Sequence, residues 1–84
     1  MLETFNVCQF FVDGSYEYVR RHVGVEEAVK AFRHYCTSVG AKLGTTNRVI
    51  ITDDGDFTNV EWKREEGVTF GLPNHLGAFK NGVG

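Results

Sequence analysis

The stretch that most constrains this chain is Arg48-Val-Ile-Ile-Thr-Asp-Asp-Gly-Asp-Phe-Thr-Asn-Val-Glu-Trp-Lys63. Two runs rich in β-branched and aromatic residues flank Asp54-Gly55, and an Asp-Gly pair in that setting is a strong hairpin signal. A two-residue type I′ turn needs positive φ at both central positions, which Gly adopts freely and Asp tolerates. Closing the turn with Asp53 opposite Asp56 sorts the side chains by parity. Val49, Ile51, Thr58, Val60 and Trp62 take one face. Arg48, Ile50, Thr52, Phe57, Asn59 and Glu61 take the other, with Arg48 opposite Glu61 as a cross-strand ion pair. The first face is almost wholly apolar and needs a cover.

The same signal recurs upstream. Phe5–Val12 and Ser15–Val23 are rich in β formers and flank Asp13-Gly14, which predicts a second hairpin with Val12 opposite Ser15. That register places Asn6, Cys8, Phe10, Val12, Glu17, Val19 and Arg21 on one face. Phe5, Val7, Gln9, Phe11, Tyr16, Tyr18, Arg20 and His22 take the other. Neither face is cleanly polar, so alternation alone does not say which is inside. Cys8, Phe10, Val12 and Val19 are favoured as the core side, because the remaining face carries the bulkier amphipathic residues.

Between the hairpins, Val25, Ala28, Val29, Phe32, Cys36 and Val39 recur at steps of three and four, with Tyr35 at the edge of the stripe. This predicts an amphipathic helix over 25–39. Glu26 and Glu27 suit its first turn, where negative charge offsets the exposed N–H groups. Gly40 is a natural left-handed stop, with one further turn to Leu43-Gly44 as the alternative. After Lys63, residues 64–67 read as a turn and Val68-Thr-Phe70 as a possible short fifth strand. The fold class is therefore α+β: a ββαββ antiparallel sheet with one helix packed on one face. Residues 1–70 form a single domain, and 71–84, glycine-rich and without periodicity, read as an extended or partly disordered tail.

Composition bounds the function. At 84 residues the chain makes one small domain, burying about 60–65% of its unfolded surface. A net charge of −2 supplies no global basic field for nucleic acid or anionic membranes. No apolar run reaches the roughly 20 residues of a membrane span. With two cysteines, Cys8 and Cys36, and no secretory signal, a soluble protein in a reduced cytoplasm is expected, both thiols serving as small hydrophobes.

Helix and sheet faces together leave one surface uncovered. The outer sheet face is expected to carry Phe5, Val7, Phe11, Tyr16, Tyr18, Arg20, Arg48, Ile50 and Phe57, more apolar area than a soluble monomer usually exposes. A homo-oligomer interface, a dimer first, is the leading reading, because closed two-fold assemblies are the commonest and small domains gain core from them. The alternative is an RNA or single-stranded DNA platform, with aromatic side chains stacking bases and Arg20, Arg21 and Arg48 meeting phosphates. A third is coverage of the face by the tail.

Chemistry-bearing motifs are absent from the sequence. Asp53, Asp54 and Asp56 do not match a calcium-loop spacing, and His22, His34, His75, Cys8 and Cys36 fit no zinc pattern, so no metal or cofactor is implied. Cys36 with a histidine, or Tyr18 with Glu17 and Arg20, lacks the flanking signature that would point to catalysis, and a small enzyme or ligand-binding protein ranks last. The stretches Gly14-Ser-Tyr-Glu-Tyr-Val-Arg-Arg, Thr37-Ser-Val-Gly-Ala-Lys-Leu-Gly and Arg48-Val-Ile-Ile-Thr-Asp-Asp-Gly-Asp resemble short uncharacterised proteins of bacterial or phage type. That resemblance spans most of residues 14–70 and implies no activity.

Overall fold

In the computed structural model, residues 3–71 are described. Five strands form one antiparallel sheet in the order β2-β1-β3-β4-β5. They are β1 (Phe5–Phe11), β2 (Tyr16–Val23), β3 (Thr46–Asp53), β4 (Thr58–Lys63) and β5 (Gly67–Phe70). Two helices, α1 (Val25–Cys36) and α2 (Val39–Leu43), join β2 to β3. The ββαββ order, the antiparallel sheet and the short fifth strand agree with the sequence pattern. The expected tail lies, from residue 72 onward, outside the described residues.

Both Asp-Gly turns are one residue longer than the type I′ turn the sequence suggests. In the first, the Phe11 amide donates to the Ser15 carbonyl (2.9 Å) and the Gly14 amide to that of Phe11 (3.0 Å), with Gly14 at φ 93°. In the second, the Asp53 amide donates to Phe57 (3.0 Å) and the Asp56 amide to Asp53 (3.0 Å). Here Asp56, at φ 65°, takes the left-handed position, and Gly55 does not. Both are three-residue loops, a turn followed by a left-handed residue. Carboxylates hold them in place. Asp13 accepts from the Ser15 amide and hydroxyl (2.9 and 2.6 Å), and Asp53 accepts from the Gly55 and Phe57 amides (2.9 and 3.0 Å).

The extra residue changes the two hairpins differently. In the first, Phe10 pairs with Tyr16 and Cys8 with Tyr18, one residue away from the expected register. A one-residue slip moves a strand's whole side-chain set to the other face. Tyr16 and Tyr18 therefore lie with Cys8 and Phe10, and Val19 lies with Val7. In the second, an irregularity between Ile51 and Thr52 adds a further residue on β4, so Ile51 pairs with Val60 and Val49 with Trp62. Two successive shifts of one restore parity, and Val49, Ile51, Val60 and Trp62 share a face as expected. Thr58, however, falls opposite Thr52 on the other face, and Arg48 stands opposite Lys63 instead of Glu61, which it reaches diagonally.

The helix decides which side of the first hairpin is core. The buried cluster joins Phe5, Val7, Ala28, Val29, Ala31, Phe32, Val49, Ile51 and Val60, with Val19, Val23, Tyr35 and Trp62 packed against it. Phe5 and Val7 thus lie under α1, and the expectation that Cys8, Phe10 and Val12 form the core side is overturned. Parity follows from β3: Val7 stands opposite Ile51 and Phe5 opposite Asp53, so the helix-facing side of β3 fixes that of β1. Val12 sits in the turn and is exposed.

The helical segment is broken where the sequence predicts one continuous helix. Thr37 caps α1 with its hydroxyl donating to the Arg33 carbonyl (2.9 Å). Ser38 then donates to the Tyr35 carbonyl (3.0 Å) and accepts from the Ala41 amide (3.2 Å), closing one helix and opening the next. Gly40 lies inside α2, where an added Cβ would meet the Thr46 hydroxyl at 2.8 Å. The left-handed stop moves to Gly44, at φ 91°.

Strand β2 carries two extra residues relative to β1, between the pairs Phe5–Val23 and Val7–Arg20 and again before Cys8–Tyr18. At the first of these, His22 adopts φ 55°. Its amide donates to the Oδ1 of buried Asn6 (3.0 Å), which holds a conformation that a side-chain-bearing residue adopts at a cost. His22→Gly is accordingly expected to raise stability by about 0.5–1 kcal/mol. Chemical denaturation checks this, and a loss of stability would show that the imidazole contributes more than its backbone costs.

Candidate interaction surface

The face of the sheet turned away from α1 is set by β1 and β3. Asn6, Cys8 and Phe10 alternate onto it from β1, opposite Thr52, Ile50 and Arg48 from β3. Tyr16 and Tyr18 extend it onto β2, and Glu61 and Lys63 onto β4. Asn6, Cys8, Ile50, Thr52 and Glu61 are buried in its centre.

Beside that centre a row of long side chains runs along edge strand β2 and then turns across the sheet. Phe10 and Tyr16 pack with ring centroids 5.7 Å apart, and Tyr16 meets Tyr18 edge-on at 6.1 Å. The Arg21 guanidinium lies 4.4 Å from the Tyr18 ring centroid, and that of Arg48 lies 4.9 Å from Phe10. These are cation–π distances, and they keep the ring faces occupied. Arg48 also pairs with Glu61, which in turn accepts from the Thr69 hydroxyl (2.6 Å). The row thus spans all five strands.

The electrostatics of the row are settled locally. The Thr69 hydroxyl, with Arg48 beside it, holds the Glu61 carboxyl below its usual range, so Glu61 stays ionised and offsets Arg48. Cys8 is shifted the other way by burial, and burial pushes Cys36 up to about 12, so neither thiol is an activated nucleophile at neutral pH. Among the described residues no three His, Cys, Asp or Glu side chains converge as a metal site. No helix of the described chain is long and apolar enough to cross a membrane.

The residues singled out in the sequence divide into three groups. Tyr16, Tyr18, Arg48 and Ile50 come together on the open face, with Ile50 buried at its centre and Tyr16 61% exposed. Phe5 and Val7 are not on it, because they belong to the core beneath α1. Arg20 is also drawn away, to a 3.4 Å ion pair with Glu27 of α1, and half-buried Phe11 closes the first turn. Phe57 is exposed beside the second turn. The sequence pattern misses Phe10 and Arg21 because it favours their face of the first hairpin as the core side. No local signal reverses that preference, and only the pairing of Val7 with Ile51 does.

Open grooves among the described residues lie on the helix side of the sheet and at the end of β4. One, about 640 Å³, runs between β2 and α1 and is lined by Arg20, Glu26, Glu27, Lys30, His34 and Tyr35. The other, about 380 Å³, lies where β3 begins and β4 ends, lined by Asn47, Arg48, Lys63, Arg64, Glu65 and Glu66. Comparison with protein-family models, with curated proteins and with solved structures finds no match to this chain.

Proposed function

We propose that this protein is a small binding module that self-associates by stacking the open faces of two sheets. The observation that carries the reading is the row Arg21–Tyr18–Tyr16–Phe10–Arg48, whose tyrosines and arginines are the residue types that dominate interface energetics.

Magnitudes set the expected strength. The exposed fractions of Tyr16 and Tyr18, 61% and 38%, together amount to about one whole tyrosine, roughly 200 Å². At 25 cal/mol per Å² that is about 5 kcal/mol per protomer. The two protomers together supply about 10 kcal/mol against an association cost of about 4–15 kcal/mol, so the surplus is at most about 6 kcal/mol and fits a Kd of tens of micromolar or weaker. The footprint agrees: five strands at 4.8 Å spacing and about seven residues long give roughly 550 Å², below the 800 Å² per partner of a standard interface.

Pairing through a sheet edge is less favoured. Strand β2 is interrupted by two irregularities and carries Glu17, Arg20, Arg21 and His22, while β5 has only four residues. Bulges, charges and shortness are the devices that keep edges from pairing. Single-stranded nucleic acid is disfavoured because the Phe10 and Tyr18 rings already carry guanidinium groups and Glu61 offsets Arg48.

Sedimentation equilibrium tests the reading. A dimer is expected at about 100 μM, with Tyr16→Ala raising its Kd on the order of 100-fold, since the loss is counted in both copies. A monomer at that concentration ends the proposal. Salt-sensitive capture of an oligothymidine by that monomer would move the face to nucleic-acid binding.

A further inference from the structure

We infer that the two copies stack with their strands antiparallel, about a two-fold axis that crosses the strands, so that the acidic β3–β4 turn of one copy lies over the Lys63–Arg64 end of the other. The inference rests on the self-association reading above and adds the partner's orientation to it.

The register fixes which residues share an end of the sheet. Phe11, Tyr16, Thr46, Lys63 and Gly67 lie at one end, and Phe5, Val23, Asp53 and Thr58 at the other. Charge is distributed unequally between these ends. Asp53, Asp54 and Asp56 crowd the β3–β4 turn, with Glu3 in the segment leading into β1. Arg48, Lys63 and Arg64 gather at the opposite end around the smaller groove, alongside Glu65 and Glu66. Arg48 pairs with Glu61 and Arg64 meets Glu65 at 3.6 Å, which leaves Lys63 as the cation with no ion pair among the described residues. Strand β2 has the reverse arrangement: Arg21 lies towards the Asp53 end, and Asp13 sits in the turn at the Lys63 end.

With the strands of the two sheets aligned, a face-to-face two-fold can be oriented in two ways. With its axis parallel to the strands, like ends superpose, and the aspartate turn of one copy falls near Glu3 and Thr4 of the other, acid over acid. With the axis across the strands, each strand lies over its own counterpart, reversed. The Asp54 turn of one copy then lies over Lys63 and Arg64 of the other, and Arg21 over Asp13, each contact made twice by symmetry. Both arrangements keep the strands near the aligned direction that stacked sheets adopt. Complementary charge and avoided repulsion select the second.

Two carboxylates at these contacts are held in their charged form. Ser15 holds the Asp13 carboxyl below its ordinary range, and the Phe57 amide does the same for Asp53. Asp54 is exposed towards a partner; its carboxylate accepts from the Thr4 hydroxyl, at 2.8 and 2.9 Å, and has His22 3.8 Å away.

A charge swap on the full chain tests the orientation. Asp54→Lys and Lys63→Glu each reverse one exposed charge on the proposed contact, leaving the core untouched. Each alone is expected to raise the dimer Kd on the order of tenfold at low salt. Combined, they are expected to restore it to within about threefold of the parent, because the pair is re-formed with its signs exchanged. Raising salt to about 0.5 M should weaken the parent dimer and narrow all these differences. A parent dimer that is broken by Tyr16→Ala yet indifferent to both charge reversals overturns the orientation while leaving the stacking reading in place. Two reversals that each weaken the dimer with no recovery in the double variant overturn it as well. A monomeric parent overturns both.

Discussion

Phe32→Ala is expected to remove about 3–5 kcal/mol of stability. Phe32 is 1% exposed and heads the fully buried side chains by volume. It stands in the middle of α1, one turn beyond Ala28 and Val29, and enters the cluster formed by Val7, Val49, Ile51 and Val60. Those neighbours are β-branched residues on a hydrogen-bonded sheet, so they cannot collapse far into the space left behind, and the cavity cost adds to the lost transfer energy. A domain of 84 residues has a total stability of about 4–13 kcal/mol. The variant therefore sits close to its unfolding threshold, with a low midpoint in a urea titration. Phe57→Ala is the matched control: its side chain is 73% exposed beside a turn, and its effect should stay within about 0.5 kcal/mol. A loss below about 1 kcal/mol for Phe32→Ala would show that the helix does not press on the sheet.

The pattern of legible and illegible features in this sequence has a physical basis. Hairpin existence was legible, because Asp-Gly between β-rich runs has few other solutions. Loop length was not, since both the two-residue and the three-residue turn accommodate Asp-Gly. In the structure both loops take the form longer by one residue, closed by a left-handed residue, Gly14 in one and Asp56 in the other. That single residue had no consequence for Val49, Ile51, Val60 and Trp62, where the irregularity on β4 cancelled it. In the first hairpin the compensating irregularity comes only beyond Cys8, so Tyr16 and Tyr18 change partners while Val7 keeps Arg20. The core side of β1 was also unreadable locally, because Phe5 and Val7 compete with Cys8 and Phe10 on equal hydrophobic terms. Only the pairing of Val7 with Ile51, a contact between residues far apart in sequence, decides it. The open face was thus foreseen as a surface and misread in membership: Tyr16, Tyr18, Arg48 and Ile50 belong to it, and Phe5 and Val7 were exchanged for Cys8 and Phe10. The break between α1 and α2 was hidden for a related reason. Ser38 reads as an ordinary polar residue on a helix surface until its hydroxyl is seen to serve two helix ends.

Register also yields the second large effect. Val7→Asp is expected to unfold the protein at neutral pH, whereas Tyr16→Asp should leave it folded and weaken only its association. On the register expected from the sequence, Val7 and Tyr16 share the outer face, and both changes would be tolerated by the fold. In the structure they lie on opposite sides. Val7 is fully buried between β2 and β3, opposite Arg20 and Ile51, with α1 above it. A carboxylate there must be desolvated, and without a partner this costs several kcal/mol, comparable to the whole stability of the domain. The new carboxyl would respond by binding a proton, its folded pKa rising above the unfolded value near 4. The sign of the pH dependence follows: the protonated form is the better tolerated, so the penalty grows as pH rises above about 4 and shrinks below it. Thermal melts of Val7→Asp at pH 4 and pH 7, beside those of Tyr16→Asp, separate the cases. A folded Val7→Asp variant with parental stability at pH 7 would place Val7 on the open face and overturn the core side of β1 inferred from its pairing with Ile51. A Val7→Asp variant that recovers structure on acidification, alongside a Tyr16→Asp variant stable at both pH values but monomeric, places the core beneath α1 and the binding surface on the other side of the same strands.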